Sequence, residues 1–325
     1  MKKLLEILRG GQMREKRVFE ELKETPTESR IHGDIRLEEQ PIIEILKRIN
    51  EEDKKAIEAV SRELENIAKG VEIIVEALSK GGKLIYVGAG TSGRLAIMDA
   101  AELLPTFNVG PEMVEAIIAG GPGAVFRPIE GAEDDSEMAI RELKAKRLNC
   151  NDVVVGISAS GRTPFVISAL KYAKEIGAKT IAITSNRRGE IAKHGDILIA
   201  PETGPEIVTG STRMKAATAQ KVILTMMSTA TMMKLGRVKS GLMINLTPAS
   251  EKLRERAKRI IMEEASVSYE EAEEKLIEAG GNVTLAIIMA KTGLNVEKAK
   301  ELLKEAGGIP SKAIEIAEVK KIGES

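Results

Sequence analysis

From residue 81 onward the chain alternates short apolar runs, KLIYV, VEAIIA, DVVVGI, AKTIAIT and GDILIA, with longer segments of helical composition. That alternation constrains the fold more than any other feature. A strand buried from both sides reads as a near-continuous apolar run, and parallel neighbours can be joined only by crossovers long enough to carry the chain back to the starting edge. The pattern predicts an α/β three-layer sandwich around a five-stranded parallel sheet, with strands near residues 83–87, 114–118, 152–157, 179–184 and 195–199 and helices on both faces. In such a sheet a ligand belongs in the loops that follow the strands' C-terminal ends.

The flanks lack strand-like runs. Residues 1–50 predict a charged helical extension, with the IIEILKRI run leading into apolar positions three and four apart from Glu51 through Leu78. The stretch ETPTESRIHGD, with Pro26 and Gly33, interrupts it as a loop. Residues 51–248 form the sheet domain. Beyond Pro248, residues 249–325 form a small helical module, with helices around 249–266, 269–279, 282–291 and 295–305 separated by GG, TGLN and GG. The segment 211–235 carries a Met-rich apolar face that reads as core or as the surface between two copies of the chain.

Composition narrows the function. Lys plus Arg balance Asp plus Glu at 49 each, Trp is absent, and three Tyr and four Phe leave no basic stripe interleaved with stacking rings, so no nucleic-acid partner is expected. A single Cys150 excludes an internal disulfide framework and multi-cysteine metal sites, and His32 and His194 are too few for a histidine-dominated one; no metal or cofactor is expected. The opening MKKLLEILRG is too sparsely apolar for a signal peptide or a membrane span. A cytoplasmic protein without membrane attachment is the expectation.

Two loops carry the chemistry. GAGTSGR, residues 88–94, follows the first strand and formally matches a dinucleotide fingerprint through Gly88, Gly90 and Gly93. That site wants an acid after the second strand, where this chain has AGG at 119–121. Thr91 and Ser92 within the turn and Arg94 at the helix start suit a terminal phosphate instead. After the third strand, GISASGRTP supplies Ser158, Ser160, Gly161 and Thr163 before Pro164 opens a helix. Capping and turn formation account for one or two of those hydroxyls but seldom for all three. Together the loops point to one phosphorylated small ligand.

Three further features stay open on residue chemistry alone. Residues 201–218, with Glu206, Ser211, Thr212, Arg213 and Lys215, read either as a polar ligand or intersubunit contact or as a capped helix with a charged first turn. Glu102, in DAAELLPT, lies eight residues beyond Arg94 on the first crossover helix. Glu133, in IEGAEDDSEMA, is either a cleft-facing acid or part of a solvated acidic helix start.

These stretches, with INEEDK, EGAEDD, TGPEIVTGSTRMKAATAQKVILTMMST and GGNVTLAIIMAKTGLNVEKAKELL, resemble the N-acetylmuramic acid 6-phosphate etherase family of the sugar isomerase domain superfamily over roughly residues 36–310. The group also includes the longer, two-domain glucokinase regulatory protein. The resemblance implies a homodimer, a UBA-like C-terminal module and a lyase of cell-wall amino-sugar recycling. It places the catalytic pair at Glu102 and Glu133. It implies cleavage of the D-lactyl ether of N-acetylmuramic acid 6-phosphate to N-acetylglucosamine 6-phosphate and D-lactate by elimination and then water addition. It also implies a phosphate site at Gly90, Thr91, Ser92, Arg94, Ser158, Ser160, Gly161 and Thr163, with Glu206, Ser211 and Lys215 beside it. Glu133 is then the base and Glu102 the acid, an order that the resemblance leaves reversible. The chain departs from the family at TESRIHGD, where Ile31 and Asp34 stand at the places of an Asn and a Ser, which bears on the sugar substituent. An enzyme acting on another sugar phosphate and a noncatalytic phosphosugar-sensing regulator are the alternative readings.

Overall fold

The structure, a computed structural model, describes residues 25–31 and 36–323. His32 and Asp34 lie outside these residues, as does the chain before Thr25. Two helices, α1 (Ile42–Ser61) and α2 (Leu64–Ser79), form where the three-and-four spacing predicts them. The strands β1 (Leu84–Gly88), β2 (Val114–Ile118), β3 (Val153–Ile157), β4 (Lys179–Ile183) and β5 (Ile197–Ile199) build one sheet in the order β2-β1-β3-β4-β5. Each falls within two residues of its expected start and end. The β3–β4 pair runs parallel from Val153 opposite Lys179 to Ile157 opposite Ile183, and β4–β5 from Ile181 opposite Ile197 to Ile183 opposite Ile199.

Helices α3 (Gly90–Phe107), α4 (Ser136–Ala145), α5 (Pro164–Ile176) and α6 (Lys215–Lys234) follow β1, β2, β3 and β5. Helix α5 shows why the layers form. Pro164 needs no hydrogen-bond acceptor in the first turn, and Gly177 ends the helix in the left-handed region at φ 84°. Its buried face, Phe165, Val166, Ala169, Leu170 and Ala173, joins Ile85, Val87, Val154 and Ala182 of the strands in one core cluster. Burying each large apolar side chain there contributes about 1.5–3 kcal/mol. Gly156 of β3 allows the close approach: a Cβ at that position would lie 2.8 Å from Val166 and 2.9 Å from Leu170.

The chain divides into two compact units. The first takes the described residues up to Gly70, Ile85–Ile97 and Ala116–Leu224, and so holds most of the sheet. The second takes Val71–Leu84, Met98–Glu115 and the residues from Thr225 onward. It ends in five helices, α7 (Glu251–Ala265), α8 (Tyr269–Glu278), α9 (Val283–Thr292), α10 (Val296–Glu305) and α11 (Pro310–Gly323). The first four lie where expected, each started by a side-chain cap from Ser250, Ser268, Asn282 or Asn295. Helix α11 is an addition to the expected set. Helix α9 has most of its circumference buried, the mark of a central helix. No helix among the described residues is long and apolar enough to cross a membrane.

Candidate active site

Strands β1 and β3 are neighbours, yet the chain leaves β1 toward β2 on one side and β3 toward β4 on the other. Diverging crossovers open a crevice outside the strands' carboxyl ends, where open α/β sheets bind ligands. Both hydroxyl-rich loops follow those two ends.

The first is shaped by close backbone approach. A Cβ on Gly88 would stand 2.7 Å from the Gly93 nitrogen, and one on Gly93 would stand 2.6 Å from Ile118 Cγ1, so glycine at both lets the strand end pass the first turn of α3. Ser92 is buried in that turn and its Oγ donates to Gln220 Oε1 at 2.9 Å. Arg94 donates from Nε to the Val125 carbonyl at 2.9 Å, which ties the start of α3 to the short turn Pro122–Val125 after β2. Thr91 lies half-buried between Gly90 and Ser92.

The second loop folds around its own hydroxyls. Ser158 Oγ lies 2.8 Å from Thr163 Oγ1 and accepts from the Gly161 N–H at 3.1 Å, and Ser160 Oγ accepts from the Arg162 N–H at 3.3 Å. Gly161 has φ +70°, and an added Cβ would meet Thr184 Oγ1 at 2.9 Å and the Gly189 Cα at 3.0 Å. Gly161→Ala is therefore expected to cost about 1–3 kcal/mol through backbone strain and to raise KM by deforming the loop. Urea unfolding and steady-state kinetics check this; unchanged values in both would refute it.

The segment after β4 braces this loop from behind, a role absent from the sequence expectations. Thr184 Oγ1 donates to the Ala159 carbonyl at 3.3 Å, Ser185 N–H donates to the same carbonyl at 3.1 Å, and Asn186 Nδ2 donates to the Ser160 carbonyl at 3.2 Å. Arg187 then ion-pairs with buried Glu63, just before α2, and with Glu202 at 3.4 Å. The run TSN directly after an apolar strand was the available signal.

At the start of α6, the polar residues make contacts within the chain. Glu206 is fully buried and accepts the N–H groups of Lys215 and Ala216, both at 2.9 Å. Burial pushes its carboxyl above the ordinary value, and the two N–H groups offset this only in part. Lys215 is buried as well, its Nζ 2.5 Å from Glu52 Oε2 on α1. Ser211 lies half-buried in the preceding loop, next to Gly210, whose N–H donates to the Thr27 carbonyl at 3.1 Å. Thr27 is buried and Ile31 is half-buried in a bend four residues on.

The two glutamates occupy different settings. Glu133 is exposed on the short turn Ala132–Asp134, entered through Gly131 at φ 68°. Asp135, rather than Glu133, caps α4 by accepting the Met138 N–H at 2.8 Å, so the helix start does not require Glu133. In the second unit, Glu102 is exposed on α3 along with Met98 and Leu104, while Asp99 of the same helix accepts from Ser228 Oγ of α6 at 3.1 Å.

Comparison with known proteins supplies the family. Residues 66–174 match the glucokinase regulatory protein N-terminal SIS domain, and residues 133–232 match the SIS domain. The chain is 49% identical over 266 residues to the N-acetylmuramic acid 6-phosphate etherase of Clostridium beijerinckii, covering 82% of this chain and 88% of that one. It is 51% identical over 261 residues to the etherase of Clostridium botulinum strain Okra, covering 80% and 86%. The solved phosphoheptose isomerase of Neisseria gonorrhoeae is similar with a TM-score of 0.44 and 23% identity over 58% of this chain and 95% of that one.

Proposed function

The chain belongs to the N-acetylmuramic acid 6-phosphate etherase family, and from that premise we propose that its two crevice loops hold the sugar's 6-phosphate while Glu133 and Glu102 carry the proton transfers. The reaction is cleavage of the D-lactyl ether to give N-acetylglucosamine 6-phosphate and D-lactate. The observation that carries the site assignment is the sheet order, which sets the Thr91–Ser92 turn and the Ser158–Thr163 loop after neighbouring strands whose crossovers diverge.

In the open-chain sugar the C1 aldehyde acidifies the C2 proton. Glu133, as carboxylate, removes it, and Glu102, as acid, protonates the lactate oxygen leaving C3, so a C2–C3 double bond forms. Glu102 then takes a proton from the water that adds to C3, and Glu133 returns one to C2. Hydroxyl and amide donors around the phosphate fix the sugar through binding energy remote from the reacting carbons. Turnover in deuterated water tests this sequence: the expected product carries deuterium at C2 and appears with stoichiometric D-lactate. Lactate release without deuterium at C2 would remove elimination as the route.

The same reading extends to assembly and organisation. Helix α6 exposes Met226 and Met233, and Met98 and Leu104 of α3 are exposed in the same unit, an apolar surface suited to a second copy of the chain. Light scattering is expected to give twice the chain mass. The division into an N-terminal extension, a phosphosugar-binding domain and a C-terminal module, and a cytoplasmic location, belong to this proposal.

A further inference from the structure

Resting on that reading of the phosphate site, we propose that Gln220 is a positioning residue that aims the Ser92 hydroxyl, releasing its proton to the sugar's phosphate by a half-turn of the side-chain amide. Gln220 lies in α6, 1% exposed, and Ser92 is 8% exposed. The Ser92 hydroxyl donates to Gln220 Oε1 at 2.9 Å, while Gln220 Nε2 is buried with no hydrogen-bond partner among the described residues.

A serine hydroxyl has one proton, and a phosphate dianion offers only acceptors. Ser92 therefore cannot donate to Gln220 and to the phosphate at once. The terminal torsion of glutamine is broad and two-fold, so a half-turn sets Nε2 where Oε1 stood. Nε2 then donates to Ser92 Oγ, and the hydroxyl proton is free to turn toward the ligand. The present side-chain orientation leaves a buried N–H unsatisfied among the described residues, which is costly and lowers the barrier to exchanging it for the second arrangement. A primary amide offers both a donor and an acceptor here without charge, whereas an ionised glutamate would hold the serine proton permanently and repel the phosphate.

The test is a double-mutant cycle on wild type, Gln220→Glu, Gln220→Met, Ser92→Ala and the two combinations with Ser92→Ala. Binding of N-acetylglucosamine 6-phosphate is measured by calorimetry at pH 8, where its phosphate is a dianion, and turnover of the muramic acid substrate is measured in parallel. Gln220→Glu is expected to weaken binding roughly tenfold or more and to raise KM more than it lowers kcat. Gln220→Met, which neither donates nor accepts, weakens it less. Both losses are expected to vanish in the Ser92→Ala background, and the loss in Gln220→Glu to shrink as the pH falls and its carboxyl gains a proton. Losses that persist without Ser92, or wild-type affinity in a folded Gln220→Glu, would overturn the proposal while leaving the phosphosugar reading intact. Should Gln220→Glu fail to fold, the Gln220→Met cycle decides alone. Failure of the wild type to bind the sugar phosphate would instead sink the underlying reading, and this proposal with it.

Discussion

Glu133→Gln is expected to lower kcat for ether cleavage by about 10²–10⁴-fold and to abolish deuterium incorporation at C2, with KM nearly unchanged. The substitution keeps the shape of the side chain and removes only its basicity. Its structural cost is small because Glu133 is exposed on the turn Ala132–Asp134, and the start of α4 is capped by Asp135. Thermal unfolding should therefore stay within about 0.5 kcal/mol of wild type. Glu102→Gln is expected to give a different pattern. Proton removal at C2 continues, so the recovered substrate gains deuterium, while lactate release slows by a comparable 10²–10⁴-fold. Substrate recovered from partial turnover in deuterated water separates the two roles. Exchange surviving in Glu133→Gln and lost in Glu102→Gln would reverse the assignment of base and acid, and retention of both activities in both variants would remove the pair from the mechanism.

The sheet was legible because its central strands are buried on two sides, and that burial writes itself into the sequence as runs such as VVVGI, buried throughout, and the IAI that ends β4. Loop chemistry was legible for a similar reason: glycine at 88 and 93 is required by backbone contact, and no other residue type fits. What stayed hidden is pairing across long sequence distances. Ser92 meets Gln220 128 positions away, and Lys215 meets Glu52 163 positions away, and local periodicity holds no information on either. Gln220 nonetheless left a trace, as a polar amide among the buried Ala216, Ala219, Ile223 and Leu224 of the same helix. The boundary between the two compact units was also illegible, because it passes through α3 and α6, whose helical pattern continues across it. Glu206 and Lys215 were legible as polar residues at a helix start, but only the structure gives their partners, two backbone N–H groups and a buried carboxylate.

Lys215→Met is expected to destabilise the protein by about 3–5 kcal/mol, because it removes one partner of a buried ion pair and leaves the other charge in place. Methionine preserves the apolar stem, so the loss measures the charge rather than a cavity. Glu52 would keep only Lys55, whose side chain is mostly in solvent. In the wild type, burial pushes the Glu52 carboxyl up, but hydrogen bonds and charge from Lys215 and Lys55 outweigh it and hold the group below its ordinary 4.5. A depressed folded pKa contributes stability that is present above 4.5 and is lost as the pH falls through the folded value. Without Lys215, Lys55 alone opposes the burial effect, so the stability that the Glu52 carboxylate contributes above 4.5 shrinks. The gap between wild type and variant in urea unfolding should thus be widest near neutrality and narrow toward pH 4.5 and below. Adding Glu52→Gln to Lys215→Met removes the stranded charge and is expected to restore most of the lost stability at neutral pH. The same double variant decides whether Lys215 also contacts the substrate: a purely structural lysine regains wild-type KM together with its stability, whereas a ligand-binding one regains stability and leaves KM elevated.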